Sequence, residues 1–142
     1  CLLMLQIKFS LQKDTMKASS WFVCGAVSMA VVVLMGAFGA HGLKRSLSIE
    51  ALEWWATGVR YQAWHSLALF VVGFLSQKRK QRIVAFAGWS FLLGIVLFSG
   101  SLYVLSLTGL RVLGAITPLG GLAWVVGWIA LAVASRDSDV QS

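Results

Sequence analysis

The chain has 142 residues, of which 58% are hydrophobic and only 12% charged, with a mean hydropathy of +0.81 and a formal net charge of +7. Soluble domains carry about 25% charged residues, so this composition excludes an ordinary soluble enzyme and indicates a membrane protein. The positive charge does not indicate nucleic acid, because the cations border apolar runs and form no basic face interleaved with aromatics.

Residues 1–15 precede Met16-Lys17-Ala18-Ser19-Ser20-Trp21, which reads as a natural bacterial start, and are expected to be a non-native or mis-started extension. An acylated Cys1 fits poorly, since a lipoprotein linker is small and polar. From Ala18 to Leu43 no Asp, Glu, Lys or Arg occurs, and a spanning helix needs roughly 17 to 25 apolar residues. Ala37-Phe38-Gly39 has the small-x-small form of a signal cleavage site, but the run is longer than a signal core, so a retained helix is expected. Cys24, inside this run, reads as a small packing residue. Gly36-Ala37-Phe38-Gly39-Ala40-His41-Gly42 spaces small residues three and four apart, which suits close helix packing.

Next comes Ser48-Ile49-Glu50-Ala51-Leu52-Glu53-Trp54-Trp55-Ala56-Thr57, read as a short interfacial helix with Ser48 as its N-cap and Trp54 and Trp55 in the headgroup layer. Glu50 and Glu53 favour its first turns electrostatically rather than offering acid-base chemistry. The second uncharged run, Tyr61 to Gln77, begins with Tyr61-Gln62-Ala63-Trp64-His65-Ser66. Its four-residue spacings place a polar-aromatic collar at the outer end of span two. Lys78-Arg79-Lys80-Gln81-Arg82 follows, and short basic loops stay cytoplasmic. Lys8, Lys13, Lys17 and Arg136 then fall on the same side, against Lys44, Arg45, Arg60 and Arg111 outside, so both termini are expected in the cytoplasm.

Ile83 to Leu110 is the third run, with Ser99, Tyr103 and Ser106 on one face and Ser101 beside them. After the short turn Thr108-Gly109-Leu110-Arg111, the fourth run, Val112 to Ser135, carries Thr117-Pro118-Leu119-Gly120-Gly121. Pro118 predicts a kink there, since it removes an amide and frees the carbonyl of Gly114. Gly120, Ala123, Gly127, Ala130 and Ala134 form a small-residue stripe that should lie against another helix. The whole is expected to be an all-α membrane protein. It would be a four-helix transmembrane bundle over residues 16–136, with the interfacial helix between spans one and two and a polar cytoplasmic tail at 137–142.

Gly36 to His41, Tyr61 to Ala68, Phe98-Ser99-Gly100-Ser101-Leu102-Tyr103 and Thr117 to Gly121 occur in the order and spacing of one family. In them the chain resembles the YgdD family of small bacterial inner-membrane proteins, domain-of-unknown-function family 423, which has a related mitochondrial branch. The resemblance implies a multi-pass four-helix protein of the bacterial inner (plasma) membrane and carries over no catalytic or binding residue.

The candidate functional or structural polar positions are His41, Tyr61, Gln62, His65, Ser99, Ser101, Tyr103, Thr117, Pro118, Gly120 and Gly121. His41 and His65 are the chain's two histidines, and the expected topology brings both to the outer leaflet. No third ligand completes a metal or haem shell around them, so no catalytic, cofactor or metal residue is assigned. A packed, hydrogen-bonded imidazole is the preferred reading of His65, ahead of a titrating gate. The expected function is non-enzymatic: helix-helix contacts, as an assembly factor, accessory subunit or homo-oligomer. The alternative is a small-solute or ion pathway along the hydroxyl face of span three and the kinked span four. The expected partners are the lipid bilayer and a second copy or another membrane protein, with no nucleic acid.

Overall fold

The computed structural model describes residues 17–77 and 81–136, all of whose regular elements are helical. The expected extension before Met16, most of the basic loop (Lys78 to Lys80) and the tail 137–142 lie outside the described residues. Helix α1 (Ala18–Ala37) runs into a π-helical turn, Phe38–Leu43. Helix α2 (Ile49–Ser76) follows, then α3 (Gln81–Gly94), a second π-helical turn (Ile95–Gly100) and α4 (Ser101–Thr108). A 3₁₀ segment, Arg111–Ala115, leads into α5 (Thr117–Arg136). Among the described residues three segments are long and apolar enough to cross a membrane: Ala18–Leu43, Arg82–Thr108 and Arg111–Arg136. Helix α2 has the length, but Arg60, Gln62 and His65 dilute its apolar character.

Local chemistry sets the ends. The Ser48 hydroxyl accepts from the Ala51 amide at 3.2 Å, so the expected N-cap is observed. Gly109 closes α4 in the left-handed region at φ 70°, where a side chain would be strained, and its amide donates to the Leu105 carbonyl.

Two expectations about these elements are corrected. No interfacial helix stands apart from span two, because residues 49–76 form one uninterrupted helix. Nothing in Ala56-Thr57-Gly58-Val59 breaks it: Gly58 weakens a helix by only about 1 kcal/mol, less than tertiary contacts return. Trp55 is accordingly buried against α1 rather than turned outward to headgroups, its indole N–H donating to the Met35 carbonyl at 2.8 Å. Pro118 also produces no mid-helix kink. The preceding segment is 3₁₀ and α5 starts at Thr117, so Pro118 occupies the first helical turn, where a missing amide costs nothing.

Helices α1 and α2 run antiparallel, as Gly25 against Phe70, Ser28 against Ser66 and Gly36 against Val59 show. Helix α2 also packs on the α3–α4 rod, which packs in turn on α5. The core between them holds Trp21, Leu69, Val72, Phe91, Trp124 and Leu131. Aromatic rings enter notches opposite glycines. A Cβ on Gly39 would stand 2.6 Å from Trp55, and one on Gly58 2.9 Å from Tyr103. The stripe on α5 works the same way, with Gly120 against the Phe98 backbone and Gly127 against the Phe91 ring. Without a hydrophobic force between helices in lipid, such close fits supply much of the association energy.

Candidate functional site: two polar clusters on helix α2

Helix α2 presents polar groups to two sides because Tyr61 and His65 share one face, Gln62 and Ser66 share another, and the two pairs are offset by one residue, a rotation of about 100°. On the α1 side the cluster centres on Gln62, which is buried. Its amide NH₂ donates to the Ser28 hydroxyl at 3.3 Å and approaches the Ser28 carbonyl at 3.4 Å. Ser66 donates to the Gln62 carbonyl at 2.7 Å and lies 2.6 Å from the Ser28 hydroxyl. Since the Ser66 proton is committed, Ser28 must donate to Ser66, and the three residues close a one-directional ring of hydrogen bonds. From the opposite helix the Tyr103 hydroxyl donates to Gln62 Oε1 at 2.8 Å. One turn away, Ser99 donates to the Gly58 carbonyl at 2.8 Å. The absent side chain at Gly58 is what lets the Tyr103 ring reach this depth. One amide therefore ties three helices, and interhelical bonds of this kind contribute roughly 0.6 kcal/mol each and up to about 1.7.

The second cluster faces α5. His65 is 6% exposed, and its ring lies flat on Trp124, with centroids 3.7 Å apart and planes within 2°. Tyr61 stacks parallel to Trp124 on the same side of the bundle, and Phe91 packs at 5.9 Å from the imidazole. His65 Nδ1–H donates to the Tyr61 carbonyl at 2.8 Å, while Nε2 accepts from the Trp128 indole at 3.4 Å. These two contacts together select the neutral Nδ1–H tautomer. Both nitrogens are engaged, so no lone pair is left for a metal without breaking the Trp128 bond. The Trp124 indole donates to the Phe91 carbonyl at 3.2 Å, which fixes the plate on which the imidazole rests.

The two histidines do not meet. His41 is exposed in the π-helical turn that ends α1. His65 neighbours Ser66, which is level with Ser28, so the two imidazoles are separated by about twelve helical residues, or ~18 Å along the axis. His65 accordingly sits near the middle of the bundle, not in a collar at its edge. The reason is the earlier start of α2, which places a dozen helical residues before Tyr61.

The remaining candidates scatter. Ser101, two residues from Ser99 and on the opposite side of its helix, donates to the Phe98 carbonyl at 2.9 Å and meets the Thr117 hydroxyl of α5 at 3.1 Å. Ser106 returns its proton to the Leu102 carbonyl of its own helix. Pro118 is exposed, Gly120 is buried and Gly121 faces Phe98 at ordinary contact distance. Among the described residues no three His, Cys, Asp or Glu side chains come together as a metal site. Trp21 is the exception to complete pairing, its fully buried indole nitrogen having no acceptor among the described residues.

Sequence reasoning misses Ser28, Gly58, Trp124 and Trp128. Ser28 sits without a motif in an apolar run. The four-residue interval between Trp124 and Trp128 was a usable signal, since it places two indoles on neighbouring turns of one face.

A chain of this composition, whose described elements are all helical and whose polar side chains are spent on joining its own helices, is a membrane protein. It belongs to the family described as "Protein of unknown function (DUF423)", whose model matches residues 35–121. The resemblance read from the four motifs is thus borne out. The chain is 49% identical over 116 residues to the UPF0382 membrane protein YwdK of Bacillus subtilis (strain 168), covering 81% of this chain and 94% of that one. It is 44% identical over 115 residues to the UPF0382 membrane protein SH2409 of Staphylococcus haemolyticus, with 81% and 93% covered. To a UPF0382 membrane protein of Haemophilus influenzae it is 42% identical over 124 residues, with 87% and 93% covered. No solved structure matches the chain.

Proposed function

We propose that this is a four-span protein of the bacterial inner membrane, with both termini cytoplasmic, that acts without catalysis through helix-helix contacts. It would serve as an assembly factor, an accessory subunit or a homo-oligomer. The observation that carries this reading is the closure of the polar clusters. Gln62, Ser66, Ser99, Tyr103 and His65 all spend their hydrogen-bonding groups within the bundle. A reactive centre or a conducting path needs polar groups turned toward a substrate instead. The first span leaves room for such contacts, since only 11% of the most apolar part of Ala18–Leu43 is buried, against 39% for that of Arg82–Thr108. Val23, Val27, Val33 and Leu34 there face outward. Lipid or another helix satisfies such a face equally well.

The pathway reading is weaker, because Ser99, Tyr103 and Ser106 donate their protons to internal acceptors. The test is light scattering of the protein extracted in mild detergent, with liposome flux measured alongside. A particle holding several copies or a co-extracted membrane protein is expected. A lone monomer that conducts solute in liposomes would overturn the proposal. Reporter fusions after Arg136 and between Lys44 and Arg60 test the topology, and an externally active tail fusion would sink it.

A further inference from the structure

The polar groups around Gln62 and His65 are paired, but toward the Lys44 end of the α1–α2 pair two cations are not. The π-helical turn at Phe38–Leu43 and the first half of α2 enclose a groove of about 490 Å³. Its walls are Gly36, Gly39, Ala40, Trp55, Ala56 and Val59, and Lys44 and Arg60 also line it. That volume lies within the range of about 300 to 1,000 Å³ typical of ligand clefts. Neither acidic residue of the same helix, Glu50 or Glu53, lines the groove. Among the described residues neither Lys44 nor Arg60 has an ion-pair partner.

The cations stand at different depths. Lys44 directly follows the apolar run and so lies at the membrane border. Arg60 adjoins Val59, which meets Gly36, placing it about eight residues or ~12 Å deeper along α1. A charged side chain at that depth is costly unless it finds a partner or reaches toward the interface. An apolar trough with an unpaired guanidinium inside it and an ammonium at its mouth matches one kind of molecule available in a bilayer. We propose that the groove binds a single phospholipid with an anionic headgroup. One acyl chain lies along Ala40, Ala56 and Val59, and the phosphodiester is held from below by the upturned Arg60 and from the border by Lys44. Guanidinium suits this role, since its planar fork matches phosphate oxygens in pairs. The inference needs only the chain's place in a membrane and not the partner-contact reading above.

Native mass spectrometry of the detergent-extracted full chain, titrated separately with phosphatidylglycerol and phosphatidylcholine, tests it. The wild type should bind one phosphatidylglycerol about tenfold or more tightly than phosphatidylcholine, given the worth of a cation beside an anionic lipid. The double variant Lys44→Gln/Arg60→Gln should bring the two affinities together. Arg111→Gln, which removes an exposed cation outside the groove, should leave the preference intact. Ala56→Leu fills the trough and should weaken both lipids. Equal affinities in the wild type would overturn the proposal. So would a preference that survives the double variant, a preference lost equally in Arg111→Gln, or many phosphatidylglycerols bound without a first strong one. Helical circular dichroism on each variant keeps a folding failure apart from lost binding. Lys44 and Arg60 are both exposed and unpaired, so the double variant should keep the wild-type spectrum.

Discussion

The middle of helix α2 and its first half lie on one uninterrupted helix yet treat polar groups in opposite ways. Around Gln62 and His65 the donors and acceptors find partners on α1, on the α3–α4 rod and on α5. Arg60, and Lys44 across the groove, are exposed, and nothing from the described residues pairs with their charges. The difference teaches where selection for packing ends. A polar group deep in a bilayer must be satisfied by the protein itself, because neither water nor lipid tails can do it. Lys44 stands at the border, where the membrane supplies partners of its own, and the long side chain of Arg60 can extend toward the same border, so these cations can be left for them.

Steric variants should break the packed region most severely. Gly120→Leu places side-chain atoms against the Phe98 backbone, which cannot rotate away. It should cost about 3 kcal/mol or more, seen as a large drop in the thermal midpoint of helical circular dichroism in detergent. Gly127→Leu meets only the Phe91 ring and should cost about 1 to 3 kcal/mol. An unchanged midpoint for both would mean that the stripe on α5 faces lipid.

Polar variants come next. Gln62→Leu strands the Tyr103 hydroxyl, with a cost of about 1 to 3 kcal/mol. Combining it with Tyr103→Phe should recover part of that loss, since no hydroxyl is then left alone. A simple sum of the two single effects would argue that the bond contributes nothing.

His65→Gln keeps a donor for the Tyr61 carbonyl and loses the stack on Trp124, for about 1 kcal/mol. His65→Leu loses both polar contacts, leaves the Trp128 indole unpaired and should cost more than the glutamine variant. Combined with His41→Gln, His65→Gln should be additive to within about 0.5 kcal/mol, as expected of sites far apart with no shared partner. A marked departure from additivity would join the two histidines after all.

The smallest effect sharpens the contrast. Lys44→Gln and Arg60→Gln, separately or together, should shift stability by no more than about 0.5 kcal/mol in lipid-free detergent. A larger loss there would show that these cations hold the fold and are not held in reserve for a headgroup.

Much of this was readable before any coordinates. The cap at Ser48, the break at Gly109 and the burial of the small face of α5 follow from residue types acting on their near neighbours. A separate interfacial helix does not form although Trp54 and Trp55 suit a headgroup layer, because Trp55, Gly58 and Gln62 bind this segment into the bundle. The place of Pro118 in a first helical turn is not legible, because a 3₁₀ segment and an α-helix share the same apolar composition, which hides where the α-helix begins. That His65 needs hydrogen-bond partners follows from its residue type, whereas its depth and its neighbours are not legible in the sequence.

The sequence by itself determined that the chain is a helical membrane protein, where most helices lie and which family it belongs to. Hydrocarbon accepts a backbone only when its hydrogen bonds close locally, and a long uncharged run states that condition directly. Only the tertiary structure decided which polar groups meet. Gln62 reaches a serine 34 positions earlier and a tyrosine 41 later, and His65 meets an indole 63 positions away. Such pairings depend on how each helix is rotated and how far it slides along its neighbour. Nearly uniform apolar faces leave both quantities unmarked in the sequence, and it is the fit of rings into glycine notches across the assembled bundle that fixes them.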